Sequence, residues 1–576
     1  MARFLALSLF SSSVLAAGSW TPQHVNDLNQ TLRGKVKALE PFARPCFSLY
    51  EGRQVPLDQT ECSKIQQHYN SPTFRSEYPG AYMYEQSSMC ASNSTSADEC
   101  LLNISDPKDT GAFEQKSCNQ GEVPPFYIEV KEANDAVQAF RYAARSGGKI
   151  TIKNSGHTFQ KDSSQKGALM LWTRNLRTLK RDRAFVPEGC SARESFSVIT
   201  TGAGINCGEA YDFAEDNDAT IVCAYSATVG LSGGFVQSGG HGVLSPSLGL
   251  AVDRVVQFTV VTPDGRVRKA NACQNRDLFW ALRGGGGGTF GVVIDATHRV
   301  ENRIPIALAS IGVDPASKIA VYGFMEALVD DTLALAKDGW GGHIYGNKIV
   351  YVNPKMTSEA QARGSMNKMI QVARRYGGTA NITIVPSFHT IYKDYIIPSA
   401  QPVGLLTLIN LRLMPDRVFF TPQLKRNLKQ YFKEFINAGN LPYIPVSGPY
   451  TVKDTTKGTS ALPAWKNTIW EFGDAAYWKW NHTLDERIQT VESVQQLSAK
   501  YKTLTDGGGA YRNEGNPFNP DWQRDNFGGL YGPLLEVKKR YDPKGVLNCH
   551  KCVGWTDKDS QASCFGIFEN GKTVQT

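Results

Sequence analysis

From Pro125 onward the chain alternates short apolar runs with sharply bounded polar ones. Residues 127–130 read as a strand, and residues 132–144 place Ala136, Val137, Phe140 and Ala144 at helical spacing. Gly147-Gly148 ends that helix before a second strand at 149–153, so the order predicts a βαβ unit. A strand at 198–201 then leads through Gly202-Ala203-Gly204 into a helix over 207–217. An apolar, β-branched strand over 255–262 turns at Pro263-Asp264-Gly265 into 266–269. Proline presets one torsion of that turn and glycine supplies another, which predicts a hairpin. A helix over 275–282, carrying Trp280, and an apolar strand over 292–299 follow.

Between about 303 and 505 the pattern changes to longer helices, such as 358–376, alternating with strands at 348–352 and 405–413. This predicts an antiparallel sheet backed by helices. Trp465, Trp470, Tyr477, Trp478 and Trp480 crowd one part of it, a stripe expected to be core more often than pocket. Residues 505–509 read as a flexible link. Leu534, Leu535 and Val537 then precede a basic helix end, Lys538-Lys539-Arg540, which Asp542-Pro543 terminates. Residues 19–120 show no clear periodicity and are expected to be a mostly irregular extension pinned by disulfides.

Two loops carry the candidate chemistry. The strand at 149–153 ends in Asn154-Ser155-Gly156-His157, where glycine allows a tight turn with outward N–H groups. Residues 226–253, SATVGLSGGFVQSGGHGVLSPSLGLAVD, form a second glycine-rich stretch. Two such loops flanking one imidazole predict a cradle for a dinucleotide. Gly286-x-Gly288-x-x-Gly291 satisfies a nucleotide-binding spacing, but a helix precedes it and a strand follows. A Rossmann site needs the opposite order, with the pyrophosphate on a helix N-terminus, so this order disfavours an NAD-binding Rossmann domain.

At 576 residues, with 41% hydrophobic and 20% charged residues, the chain is long enough for more than one globular domain. The net charge of +8 is spread along the sequence, which excludes a nucleic-acid footprint. Residues 1–17, with Arg3, an apolar run at 4–10 and small residues at 14–17, read as a signal peptide too short to span a membrane. All twelve cysteines lie beyond it, and glycosylation sequons occur at Asn29, Asn93, Asn103, Asn381 and Asn481. Cys549-His550-Lys551-Cys552 has no partner motif, and an oxidising compartment favours a bridge there over a metal. No metal site is expected.

At these residues the sequence resembles the FAD-linked oxidases of the berberine bridge enzyme type, of the vanillyl-alcohol oxidase fold, in a secreted fungal-like branch. The resemblance rests on NSGH at 154–157, TVG at 228–230 and the glycine run to Gly242. It continues through LGLAVD at 248–253, RGGGGGTFGVV at 283–293 and NFGGLYGPLLEVKKRYDPKGVL at 526–547. The implied fold class is α+β. A PCMH-type FAD-binding domain of two α/β subdomains would span 121–302, beside an antiparallel-sheet substrate domain backed by helices at 303–505. Residues 18–120 would be the extension, and 506–576 would return to the FAD domain. Relatives bridge cysteines ahead of the flavin domain, which favours Cys46 with Cys62.

The resemblance also implies the site. His157 would bond covalently to FAD, flanked by Asn154, Ser155, Gly156 and Thr158. The second loop would contribute Ser226, Thr228, Val229, Gly230, Ser232, Gly233, Gly239, Gly240 and Gly242, with Val293 and Asn513 completing the contacts. Many relatives add a cysteinyl tether where this chain has Ser226, so a single covalent link is implied. Oxygen-using relatives keep a small residue at the place of Val229, which favours an oxidase making hydrogen peroxide from O2. The base is open: Glu514 stands where relatives often have a tyrosine, Tyr511 is the next candidate, and Glu514 is equally suited to bind a backbone N–H or Arg512. The implied partners are a small-molecule alcohol, sugar or secondary metabolite and O2, with a monomeric chain and neither nucleic acid nor membrane. A dehydrogenase with another acceptor and a flavin-binding protein without turnover are the competing readings.

Overall fold

The structure, a computed structural model, describes residues 20–85, 100–399, 401–556 and 568. The expected signal peptide, the sequon at Asn93, Cys90 and Cys564 lie outside the described residues. Among the described residues no helix is long and apolar enough to cross a membrane.

The βαβ unit forms as its periodicity dictates. Helix Ala133–Ser146 buries Ala136, Val137, Phe140 and Ala143, is capped by Glu132 with Asp135, and ends at Gly147 with φ +77°. Strands Phe126–Glu129, Leu169–Trp172 and Ile150–Lys153 run parallel beside it, and Val36–Ala38 closes the sheet edge antiparallel to Phe126–Glu129. A second, antiparallel sheet has the order Arg266–Asn271, Val255–Thr262, Val292–Arg299, Phe196–Gly202, Leu179–Phe185. Every residue of Val255–Thr262 is buried, which explains its unbroken apolar run.

The third sheet, in the order Thr379–Val385, Ile306–Gly312, Lys348–Asn353, Gly341–Ile344, Ile444–Val446, is antiparallel throughout. Helices Lys318–Asp338, Asn367–Arg375 and Pro422–Asn437 share its core with Leu428, Phe432, Phe324 and Met369. A long ribbon, Leu406–Pro415 paired with Thr468–Trp478, stands beside it. The single helix expected over 358–376 is two, Glu359–Ser365 and Asn367–Arg375. The break at Met366 follows Gly364-Ser365, weak helix formers, and turns Met366 fully into the core.

The N-terminal extension is more regular than its composition suggests. It holds helices Pro22–Thr31, Gln59–His68 and Pro72–Ser76, each opened by a side-chain cap from Thr21, Asp58 or Ser71. These helices bury only two, one and two residues respectively, too few to leave a periodic signal. Among the described residues five disulfides join Cys46–Cys62, Cys100–Cys118, Cys190–Cys273, Cys207–Cys223 and Cys549–Cys552. The C-terminal segment returns to the first sheet, where Leu547 bridges Ile150 and the Lys538 ammonium is buried against Asp542 and two carbonyls.

Candidate active site

Strand Ile150–Lys153 delivers the loop 154–158 into a cavity of about 980 Å³. Asn154 Nδ2 donates to Thr173 Oγ1 at 3.1 Å and to the Ala203 carbonyl, which locks the loop to its sheet. The second loop presses against the same side chain. A Cβ at Gly230 or Gly233 would lie 2.2 or 2.4 Å from the Asn154 amide, so only glycine permits that approach.

His157 sits where the two loops meet. Its Nε2 is 2.7 Å from Thr228 Oγ1 and its Nδ1 is 3.4 Å from the Tyr84 hydroxyl. Burial, aided by the Lys153 ammonium, pushes the imidazole down to about 3, so it is neutral at physiological pH. Lys153 itself is fully buried, and burial lowers it to about 7.

Of the residues expected to cradle the cofactor, Asn154, Ser155, Gly156, His157 and Thr158 line the cavity from one side. Ser226, Thr228, Val229, Gly230, Gly233 and Gly242 line it from the other, and Tyr511, Asn513 and Glu514 come from the C-terminal segment. Ser232, Gly239, Gly240 and Val293 do not line it. Ser232 is buried beneath the loop with its hydroxyl 2.6 Å from Thr201 Oγ1 and 2.8 Å from His298 Nε2. Val293 points into the core of the second sheet. Gly239 and Gly240 turn with φ +124° and +75° and shape the backbone behind the lining. Sequence proximity to a glycine run does not distinguish a residue facing the ligand from one supporting the turn.

The C-terminal segment is stitched to the His157 loop. Asn513 Nδ2 donates to the His157 carbonyl at 3.3 Å, and its Oδ1 accepts from Phe159 N–H at 3.4 Å. Arg512 is engaged by Asp162 at 2.5 and 2.8 Å, which leaves Glu514 free of it. Glu514 instead meets a residue that sequence reasoning missed. His241 Nε2 is 3.2 Å from Glu514 Oε1, and His241 Nδ1 is 2.8 Å from Glu471 Oε1.

Burial works against the charge on His241, but the two carboxylates outweigh it and raise the imidazole well above its ordinary range. Glu471 is fully buried, its carboxyl raised by burial against the pull of His241, and it also accepts from Ser447. Tyr511 packs edge-on to His241, with ring centroids 4.9 Å apart. Burial, with Glu514 and Glu471 adding to it, holds its phenol well above the usual range, hence protonated. Of the aromatic crowd, Trp465, Trp470 and Trp478 are core, whereas Tyr477 is exposed and lines the cavity. Cys223, three residues ahead of Ser226, is bridged to Cys207.

The family profile for an FAD binding domain matches residues 124–271, and that described as berberine and berberine like matches 510–554. The FAD-linked oxidoreductase ffsJ of Aspergillus flavipes is 38% identical over 568 residues, covering 92% of this chain and 92% of its own. The chain belongs to the berberine-like FAD-linked oxidoreductases. The crystal structure of the VAO-type flavoprotein MtVAO615 from Myceliophthora thermophila C1 superposes on this oxidoreductase with a TM-score of 0.81 and 25% identity, covering 94% of this chain and 96% of that one. Glucooligosaccharide oxidase from Acremonium strictum, described with a 6-S-cysteinyl, 8α-N1-histidyl FAD, shares the fold at 18% identity and a TM-score of 0.57, over 75% and 92% of the two chains.

The cofactor of this FAD-linked oxidoreductase is FAD, and its residues fit the group. The volume is at the upper end of the roughly 300–1,000 Å³ range of ligand pockets. Glycines clear the loop backbones for close approach, and two buried oxygens on the lining residues Asn154 and Ser163 have no hydrogen-bond partner among the described residues.

Proposed function

We propose that this FAD-linked oxidoreductase is a secreted oxidase that holds FAD through one covalent bond to His157 and uses Glu514 as the base toward an alcohol, sugar or secondary-metabolite substrate. The observation that carries the reading is the meeting, on one cavity, of a neutral buried imidazole and a carboxylate backed by His241 and Glu471. When bound, FAD would supply the hydride acceptor and, with O2 as oxidant, the two-electron chemistry that gives hydrogen peroxide.

The protein's own groups do the rest. A neutral His157 retains a nucleophilic nitrogen, and the Asn154 and Asn513 contacts fix its loop. Glu514 takes the substrate hydroxyl proton, and the His241 imidazolium, 3.2 Å away, orients that carboxylate. Tyr511, held protonated, acts as a wall rather than as the base. Ser226 on the lining and the Cys207–Cys223 bridge support a single tether. The five disulfides and the apolar leader support a secreted chain.

Acid precipitation, tryptic mass spectrometry and a substrate panel test the reading together. Flavin mass on the His157 peptide, flavin bleaching by a donor under anaerobic conditions and peroxide on readmitting O2 are expected. Bleaching without peroxide would make the protein a dehydrogenase, and quantitative release of FAD by acid would remove the covalent bond.

A further inference from the structure

The side of the cavity formed by the long ribbon has a composition of its own. The ribbon strand Leu406–Pro415 and the residue before it present Leu405, Thr407, Ile409 and Leu411 to the cavity at every second position. Three of those four are aliphatic. No lysine or arginine among the described residues lines the cavity, and the protonated His241 is already shared between Glu471 and Glu514. Asp474 is the one further carboxylate on this side, and burial raises it toward the neutral form while Tyr501 donates to it.

The mouth continues the pattern. Ile397, Leu441, Tyr443 and Tyr477 line the cavity, yet are 44–54% exposed. Large apolar side chains left in water around one cavity, rather than scattered, mark a surface that a ligand covers. The wall between mouth and floor is aromatic and braced. Tyr443 stacks on His343 with centroids 5.4 Å apart, and its hydroxyl lies 2.8 Å from His343 Nδ1. Tyr225 meets the same imidazole edge-on at 4.2 Å.

An oligosaccharide carries a hydroxyl on most carbons, and each one left unpaired against this aliphatic floor would cost about 1–3 kcal/mol. An anion would find only the His241 imidazolium, already paired with two carboxylates. We infer that the substrate of this site is a neutral, largely apolar polycyclic or aromatic-bodied molecule that presents one hydroxyl to Glu514 and extends past the rim into solvent. The inference rests on the oxidase reading for the role of Glu514, but the recognition it describes is an equilibrium property, independent of turnover.

Nile red, a neutral planar apolar dye excited to the red of flavin absorption, is the probe. Titrated into the flavin-loaded enzyme, it should brighten and saturate. Leu441→Glu and Ile397→Glu change exposed rim residues that tolerate charge, and Ile409→Asn changes the floor. Each should retain flavin absorbance while weakening the dye on the order of tenfold, the scale of one buried aliphatic side chain. Cellotetraose at millimolar concentration should neither displace the dye nor bleach the flavin. Absence of saturable binding, equal binding by wild type and all three variants, or displacement or flavin bleaching by cellotetraose would overturn the inference. Saturable, variant-sensitive binding in an enzyme whose flavin no donor reduces would instead overturn the oxidase reading and leave the site standing.

Discussion

Glu471 Oε1 lies 2.8 Å from His241 Nδ1, and through that ring a carboxylate with no solvent exposure reaches the wall of the cavity. Glu514 occupies the opposite ring nitrogen, so one imidazole is shared between two carboxylates. Such a ring stays protonated, and its two carboxylate partners fix its orientation.

Glu514→Gln should therefore keep fold and bound flavin while losing on the order of a hundredfold in anaerobic flavin reduction, the scale of a lost general base. Stopped-flow reduction at wild-type speed would remove Glu514 from the mechanism. Glu471→Gln should act through His241 instead. With one carboxylate gone, the imidazole loses its proton at lower pH, so the limb of the reduction-rate profile that follows His241 should move down in pH. An unmoved profile would confine Glu471 to packing.

A second pH effect has the opposite origin. His298 is buried with Ser232 and Thr201 as its partners, and burial, with Arg254 adding to it, pushes it down to about 3. In the unfolded chain it titrates near 6.5. The unfolded state therefore binds the extra proton between those values, so the contribution is complete above about pH 6.5 and is lost as pH falls toward 3. The melting temperature should drop along that interval, and His298→Gln, which keeps a hydrogen-bonding side chain without the titration, should flatten the drop. A parallel fall in both proteins would assign the acid sensitivity to other groups.

Cys223 gives a prediction about the tether. Because it is bridged to Cys207, peptide mapping under non-reducing conditions should recover the 207–223 pair and no cysteinyl flavin. Cys223→Ser should retain acid-stable flavin on His157 while losing roughly 2–4 kcal/mol of stability, the usual contribution of a native bridge. Recovery of flavin on the Cys223 peptide would reverse the assignment.

The local parts of this arrangement were legible in the sequence, and the long-range parts were not. The helix capped at Gly147 and the hairpin turned at Gly265 announce themselves within a few residues, because periodicity and turn chemistry are local. His241 sits inside the second glycine stretch, yet nothing nearby indicates a partner, since Glu471 and Glu514 are 230 and 273 residues further on. A trace of Glu471 was present. One carboxylate in the apolar run Ile469-Trp470-Glu471-Phe472 must be either paired or functional, and that anomaly was a sharper signal than the tryptophans around it. Ser232 and Val293 lie behind the cavity lining, because a motif preserves the turn that presents a ligand-facing residue as well as the residue itself.

Tyr84 is the residue least visible from sequence and yields the last prediction. It lies in the extension, where it stacks on Phe159 at 3.7 Å between ring centroids, while the neighbouring Met83 N–H donates to the Gly156 carbonyl at 3.1 Å. The extension thus packs directly on the loop that carries His157. Burial, with Glu514 adding to it, raises the Tyr84 phenol, so its hydroxyl is protonated and donates to His157 Nδ1. The ring proton then resides on Nε2, which donates to Thr228 Oγ1, and the pair of contacts selects one tautomer and one ring orientation. Tyr84→Phe keeps the stack and removes only the hydroxyl. If orientation of His157 limits formation of the flavin bond, reconstitution of this variant with FAD should give acid-stable flavin about threefold to tenfold more slowly, the scale of one hydrogen bond. Tyr84→Ala, which also removes the stack on Phe159, should be slower still, and His157→Ala should give none. Covalent incorporation at wild-type rate in both Tyr84 variants would show that Thr228 and the loop backbone orient the imidazole without the extension.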